Sequence, residues 1–127
     1  MTNAASKLKH SKTTENRIQR FLWPGTSRPW KERHDVAGPD ASGDLWVGEV
    51  KEARRLYLTR AYKLLQEAAV QLREAVDGET VGGLFIVIHQ VGSSVDLSWV
   101  VAGDTFWGPY TLEEFKARWI DPPEAAE

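Results

Sequence analysis

Two periods of hydrophobicity run through the chain. Ala61, Leu64, Leu65, Ala68, Ala69, Leu72 and Val76 recur at intervals of three and four, the spacing of a helix with one buried face, and Asp77-Gly78 stops it. Leu84-Phe85-Ile86-Val87-Ile88 is a continuous, β-branched apolar run ending in His89-Gln90. It predicts a central strand covered on both faces. Upstream, a helix is predicted to start near Ser11 to Thr14, where hydroxyls can cap it. It carries Ile18, Phe21 and Leu22 and breaks at Trp23-Pro24-Gly25. Trp30 to Ala37 and Leu45 to Lys51 read as the strands of a hairpin around Gly38-Pro39-Asp40-Ala41-Ser42-Gly43.

Downstream, Leu97 to Ala102 reads as another strand. Thr111-Leu112-Glu113-Glu114 fits a capping box, and the helix it opens carries Leu112, Phe115 and Trp119 before Pro122-Pro123. The predicted order is α-β-β-α-β-β-α, an α/β fold with a mixed sheet flanked by helices. Residues 1–10 read as a disordered basic tail, 11–121 as one domain and 122–127 as a C-terminal tail.

Composition changes this picture little. The chain of 127 residues is 42% hydrophobic and 27% charged, as expected of one globular domain. It contains no cysteine, which excludes disulfides, thiolate catalysis and cysteine-zinc sites. No apolar run approaches a membrane span and the first ten residues lack an apolar signal core, so a cytoplasmic protein is expected. Charge adds more. The net charge of -2 divides unevenly: residues 1–34 hold eight Lys and Arg against Glu15 and Glu32, and residues 77–127 hold nine acids against Lys116 and Arg118. A basic half on an acidic chain fits an electrostatic footprint for a polyanion, or a solvated tail.

The candidate chemistry lies in the hairpin. In the second predicted strand Leu45, Val47, Glu49 and Lys51 share one face, so a carboxylate and an ammonium share a surface with core residues. Taken alone, Glu49-Val50-Lys51 is best explained as a solvated salt bridge on an edge strand. Asp35 changes that. If the strands pair across the turn, Asp35 approaches Glu49, and converging carboxylates repel unless a cation joins them. Oxygen ligands of this kind favour Mg²⁺ or Mn²⁺, and Lys51 points into the same cleft, where it could orient a water.

"ENRIQRFL", "HDVAG", "GEVK" and "LFIVIHQ", in that order over residues 11–102, resemble the core of the PD-(D/E)XK nuclease superfamily. "SKTTENRIQRFL", "LWVGEVKEARRL" and "LFIVIHQVG" are similar to small phage nuclease-like proteins described as Holliday junction resolvase-like. The resemblance implies a restriction-endonuclease-like fold and metal-dependent hydrolysis of DNA, by a homodimer in the resolvases. It implies metal ligation by Asp35, Glu49 and the Val50 carbonyl, catalysis by Lys51, and a helix-one acid at Glu15. For a phage-encoded chain it implies the host cytoplasm. Asp40, in the motif's Pro-Asp pair, is the alternative to Asp35, whereas Asp44 points to the opposite face of its strand. Gln66 falls where some members carry a helical Gln, but it lies off the apolar stripe and reads better as a solvent-facing residue.

Arg54, Arg55, Arg60 and Lys63 follow the Glu-x-Lys strand and are candidates to track a phosphate backbone, or a solvated helix face. His89 could serve as a base or simply end its strand with a satisfied partner. Trp23, Trp30, Trp99 and Trp119 read as core or interface residues. Two rivals to a nuclease remain at this level: a non-catalytic DNA-binding module on the same fold, and a phage protein that binds a host partner through its acidic half.

Overall fold

The computed structural model describes residues 13–25, 34–55 and 57–121. Expectations for residues 1–10 and 122–127, for Trp30 and for the prolines after the last helix lie outside these residues. Helix α1 covers residues 13–22. Strands β1 (Val36–Pro39) and β2 (Leu45–Ala53) follow, then helix α2 (Leu58–Ala75), strands β3 (Gly83–Gln90), β4 (Asp96–Ala102) and β5 (Thr105–Thr111), and a short helix α3 (Leu112–Phe115) that widens into a π-turn over Lys116–Ile120. The fold is α/β. Its five strands lie in sequence order, with β2 and β3 parallel across the α2 crossover and every other pair antiparallel. Among the described residues no helix is long and apolar enough to cross a membrane.

Alternation along the strands builds two cores. On one face Val47, Ala53, Ile86, Ile88 and Trp99 pack under Leu64, Leu65, Ala68, Ala69 and Leu72 of α2. On the other, Trp46, Val50, Phe85, Val87 and Val100 pack under Ile18 and Leu22 of α1 and under Leu112, Phe115 and Ile120. Strand β3 is therefore sandwiched, as its unbroken apolar run predicts. The Thr111 box forms in full: Thr111 Oγ1 accepts from the Glu114 amide at 3.1 Å, and Glu114 Oε1 accepts from the Thr111 amide at 2.9 Å. Close packing explains Gly48, because a Cβ there would collide with the Phe85 ring.

The structure departs from the predicted element order in two places. Strand β5 has no counterpart in the predicted order, because Gly108-Pro109 in its middle resembles a breaker. On an edge strand, a proline without an N–H leaves no ladder bond unmade. The first hairpin strand includes Gly38 and Pro39, which read as turn. The turn itself is Asp40 to Asp44, and β1 is the other edge, where Pro39 is tolerated for the same reason. Asp40 Oδ1 accepts the Ser42 and Asp44 amides at 2.8 and 3.0 Å, and Oδ2 accepts the Trp46 indole at 3.0 Å. Burial opposes its ionisation, but these hydrogen bonds outweigh it and lower its pKa. Asp40 is thus a turn-capping residue. Asp40→Ala is expected to destabilise the protein by about 1–3 kcal/mol, read from urea denaturation.

Candidate active site

The hairpin register decides which acid meets Glu49. Val36 pairs with Gly48 and Ala37 with Val47, so the next position back, Asp35, stands opposite Glu49 on the face that α2 covers. Strand pairing with β1 stops at Gly48, which leaves the following backbone of β2 open on that side. Asp35 fills the gap: its Oδ2 accepts the Val50 amide at 3.0 Å. In an extended strand a residue's N–H and C=O point the same way, so the Val50 carbonyl faces this edge too. Asp44, exposed in the turn, takes no part.

The electrostatics follow from that placement. The Glu49 carboxyl is pushed up to about 7, first by burial and then by the neighbouring charge of Asp35, with partial relief from Lys51. The two carboxylates lie within hydrogen-bond reach of each other, and a proton between them lessens the repulsion. Lys51 Nζ stands 3.7 Å from Glu49 Oε2, and both side chains are about one-fifth exposed (22% and 19%). Lys51 also donates to Gln71 Oε1 at 2.6 Å.

The same shift sets a pH dependence. Folding raises the Glu49 pKa from 4.5 to about 7, so between those values the folded metal-free protein holds a proton that the unfolded chain has released. Stability is then lost as pH rises through this window, by up to about 3 kcal/mol from this group alone. Glu49→Gln removes the ionisable group. In EDTA, urea unfolding at pH 5 and pH 7.5 should show a smaller loss in the variant than in wild type. Equal losses would contradict this origin of the shift.

Glu15 is placed by its helix. Gln19 donates to the Ala37 carbonyl at 2.8 Å and accepts the Ala37 amide at 2.9 Å, while Trp23 Nε1 donates to the Pro39 carbonyl at 2.6 Å. Four helical residues advance about 6 Å and two strand residues about 6.6 Å, so α1 and β1 run in step. One turn before Gln19, half-buried Glu15 is level with Asp35. Among the described residues, no group of three or more Asp, Glu and His side chains is gathered closely enough to hold a metal ion.

The other candidates divide by the flanks of α2. Arg60, Glu67 and Gln71 follow one another at helical spacing and share a flank, with Lys63 beside them. Since Gln71 reaches Lys51, that flank faces the site. Arg60 and Lys63 lie exposed on it, and Arg54 and Arg55 lie exposed in the link from β2. Gln66 is exposed on a different side of α2, so the helical Gln at the site is Gln71. The stripe holding Arg60 and Gln71 is visible in the sequence. Which flank meets Lys51 depends on how α2 crosses the sheet.

The histidines lie elsewhere. His89 is on the opposite face of the sheet, where its Nδ1 meets Asp96 Oδ1 at 2.8 Å; Arg17 donates to both oxygens of the same carboxylate at 2.7 and 3.0 Å. His89 thus ends its strand in an ion cluster rather than in the cleft. Buried His34 meets Glu79 at 3.1 Å.

Two adjacent carboxylates and a carbonyl at one strand edge form a hard-oxygen donor set that fits Mg²⁺ or Mn²⁺, ions commonly held by one or two carboxylates plus water and phosphate. Comparison with protein-family models, curated proteins and solved structures finds no match. The chemistry of the site therefore rests on its own residues.

Proposed function

We propose that this protein is a divalent-metal-dependent nuclease of restriction-endonuclease-like architecture, cutting phosphodiester bonds in DNA. One observation carries the reading. Asp35, one residue before β1, is brought beside Glu49 by the register of the hairpin, with the Val50 carbonyl and Lys51 at the same edge. A charge-charge arrangement this costly is poorly explained as edge-strand protection, because Glu49 is mostly buried beside a like charge.

Asp35, Glu49 and the Val50 carbonyl would hold the ion. When bound, Mg²⁺ or Mn²⁺ offsets the paired negative charge and polarises a phosphoryl oxygen. Lys51 has three N–H donors; Gln71 engages one at 2.6 Å, and Glu49 lies at ion-pair distance, 3.7 Å. A further N–H is available to orient the attacking water or to stabilise negative charge growing on the phosphoryl oxygens. Gln71 fixes the ammonium in place. Arg54, Arg55, Arg60 and Lys63 supply phosphate contacts along the approach. The sequence resemblance alone supports a Holliday junction resolvase-like role, acting as a homodimer in the cytoplasm.

One rival is a DNA-binding module that keeps the fold without catalysis. A cleavage panel of four-way junction, flap, single-stranded and linear duplex DNA with Mg²⁺ or Mn²⁺ separates the two. Metal-dependent products with at least one substrate, lost in EDTA, are expected. Binding without cleavage of any of them would support the rival.

A further inference from the structure

On the flank of α2 away from Lys51, the helix and strands β4 and β5 enclose an open cavity of about 490 Å³. Its walls include Tyr57, Ala61, Tyr62 and Leu65 from α2, with Trp99 and Phe106 from the strands. Trp99 is buried, and Tyr62 meets Phe106 edge-on at 6.1 Å. Tyr57 and Tyr62 keep 61% and 54% of their surface in solvent, so two aromatic side chains stand at the rim of an apolar slot. The volume is in the range of small-ligand sites.

The Tyr57 end of the slot is basic. Exposed Arg54 and Arg55 come just before Tyr57. The first turn of α2 contains no acid, and its N-cap, Tyr57, makes no side-chain capping bond, so the positive end of the helix adds to the two arginines. On the facing hairpin, Asp104 at the β4–β5 turn adjoins the lining residue Thr105, and Arg73 donates to the neighbouring Gly103 carbonyl at 2.6 Å. An apolar slot with flat rings and a cationic end suits a nucleotide, the base stacked and its phosphate on the arginines. An apolar peptide would have no use for the arginines.

We propose that this slot takes an unpaired base of a nucleic-acid strand, with the adjoining phosphate on Arg54 and Arg55. The proposal rests on the nuclease reading and narrows it: the substrate carries a single-stranded or unstacked segment, as a branched DNA does.

Fluorescence anisotropy in EDTA tests the slot without any cleavage. Probes are a labelled oligothymidylate, an abasic strand of the same length and a blunt duplex. Tyr57→Ala and Tyr62→Ala should each weaken oligothymidylate binding by about 5- to 100-fold and duplex binding by less than about 2-fold. Wild type should bind the abasic strand as weakly as the variants bind oligothymidylate. Tyr62→Phe, which keeps the ring and the fold, should bind like wild type. Equal wild-type affinity for abasic and base-bearing strands would overturn the proposal. So would unchanged binding by both Ala variants, absence of single-strand binding, or a wild-type dimer that Tyr62→Ala disperses, since a second copy would then fill the slot. Tyrosine-dependent binding by a protein that cleaves nothing would sink the nuclease reading and leave the slot standing. Cleavage lost in Glu49→Gln with binding indifferent to both tyrosines would do the reverse.

Discussion

Lys51→Ala is expected to slow single-turnover DNA cleavage by about 10²- to 10⁴-fold while changing DNA affinity by less than roughly 5-fold. The split follows from where the ammonium is held. Gln71 at 2.6 Å and Glu49 at 3.7 Å keep Lys51 beside the paired carboxylates and largely out of solvent. It is therefore a poor general phosphate contact and a good local donor to a reacting water or phosphoryl oxygen. Affinity should depend more on exposed Arg54, Arg55, Arg60 and Lys63. Gln71→Ala should slow the rate less, because Lys51 keeps its charge and loses only its orientation. Lys51→Arg keeps the charge on a longer, planar group that does not fit the same contacts, so it should not restore the rate. A fall in rate fully matched by a fall in affinity would mean that Lys51 only binds.

Phe85→Ala should cost the fold about 3–5 kcal/mol, much of the stability of a domain this size. Phe85 is fully buried on the face under α1 and α3. Its ring centroid lies 6.2 Å from Trp23, 6.4 Å from Trp46 and 4.7 Å from Phe115, so it joins four separate elements of the chain. Gly48 lies directly against the ring and has no side chain to move into the space. The void would persist, and a persistent void adds to the lost transfer free energy. Urea denaturation should show a drop in midpoint of more than about 1 M. A loss below about 1 kcal/mol would mean that the aromatic cluster relaxes around the deletion.

Much of what positions the site is legible in the order of residues alone. Helix α2 declares itself through a run of seven apolar positions at helical spacing. Strand β3 does so through five consecutive apolar residues, which only a two-sided core accommodates. The facing of Asp35 and Glu49 is legible as well, because residue parity and a turn place them on one surface. What stays hidden depends on tertiary context. Pro39 reads as part of a turn and Pro109 goes unread, and both lie in edge strands, where a missing N–H is harmless. Asp40 carries the Pro-Asp signature, yet it spends its oxygens on the turn and on the Trp46 indole. No local pattern singles out Gln71, because the crossing of α2 over the sheet decides which of its flanks meets Lys51. His89 falls close to the cleft along the chain and lies across the sheet from it.

The central claim is that the carboxylate partner of Glu49 comes from the facing strand, and that the pair supports phosphodiester hydrolysis. A single cleavage assay with Mg²⁺ or Mn²⁺, comparing wild type with Asp35→Asn and Asp40→Asn, tests it most directly. Asn at position 35 can still accept the Val50 amide, so the strand edge is kept while the charge is removed. Asp35→Asn should lose at least about 10²-fold in rate, and Asp40→Asn should cut like wild type at a temperature where it stays folded. Full activity in Asp35→Asn, or equal loss in both variants, would contradict the claim.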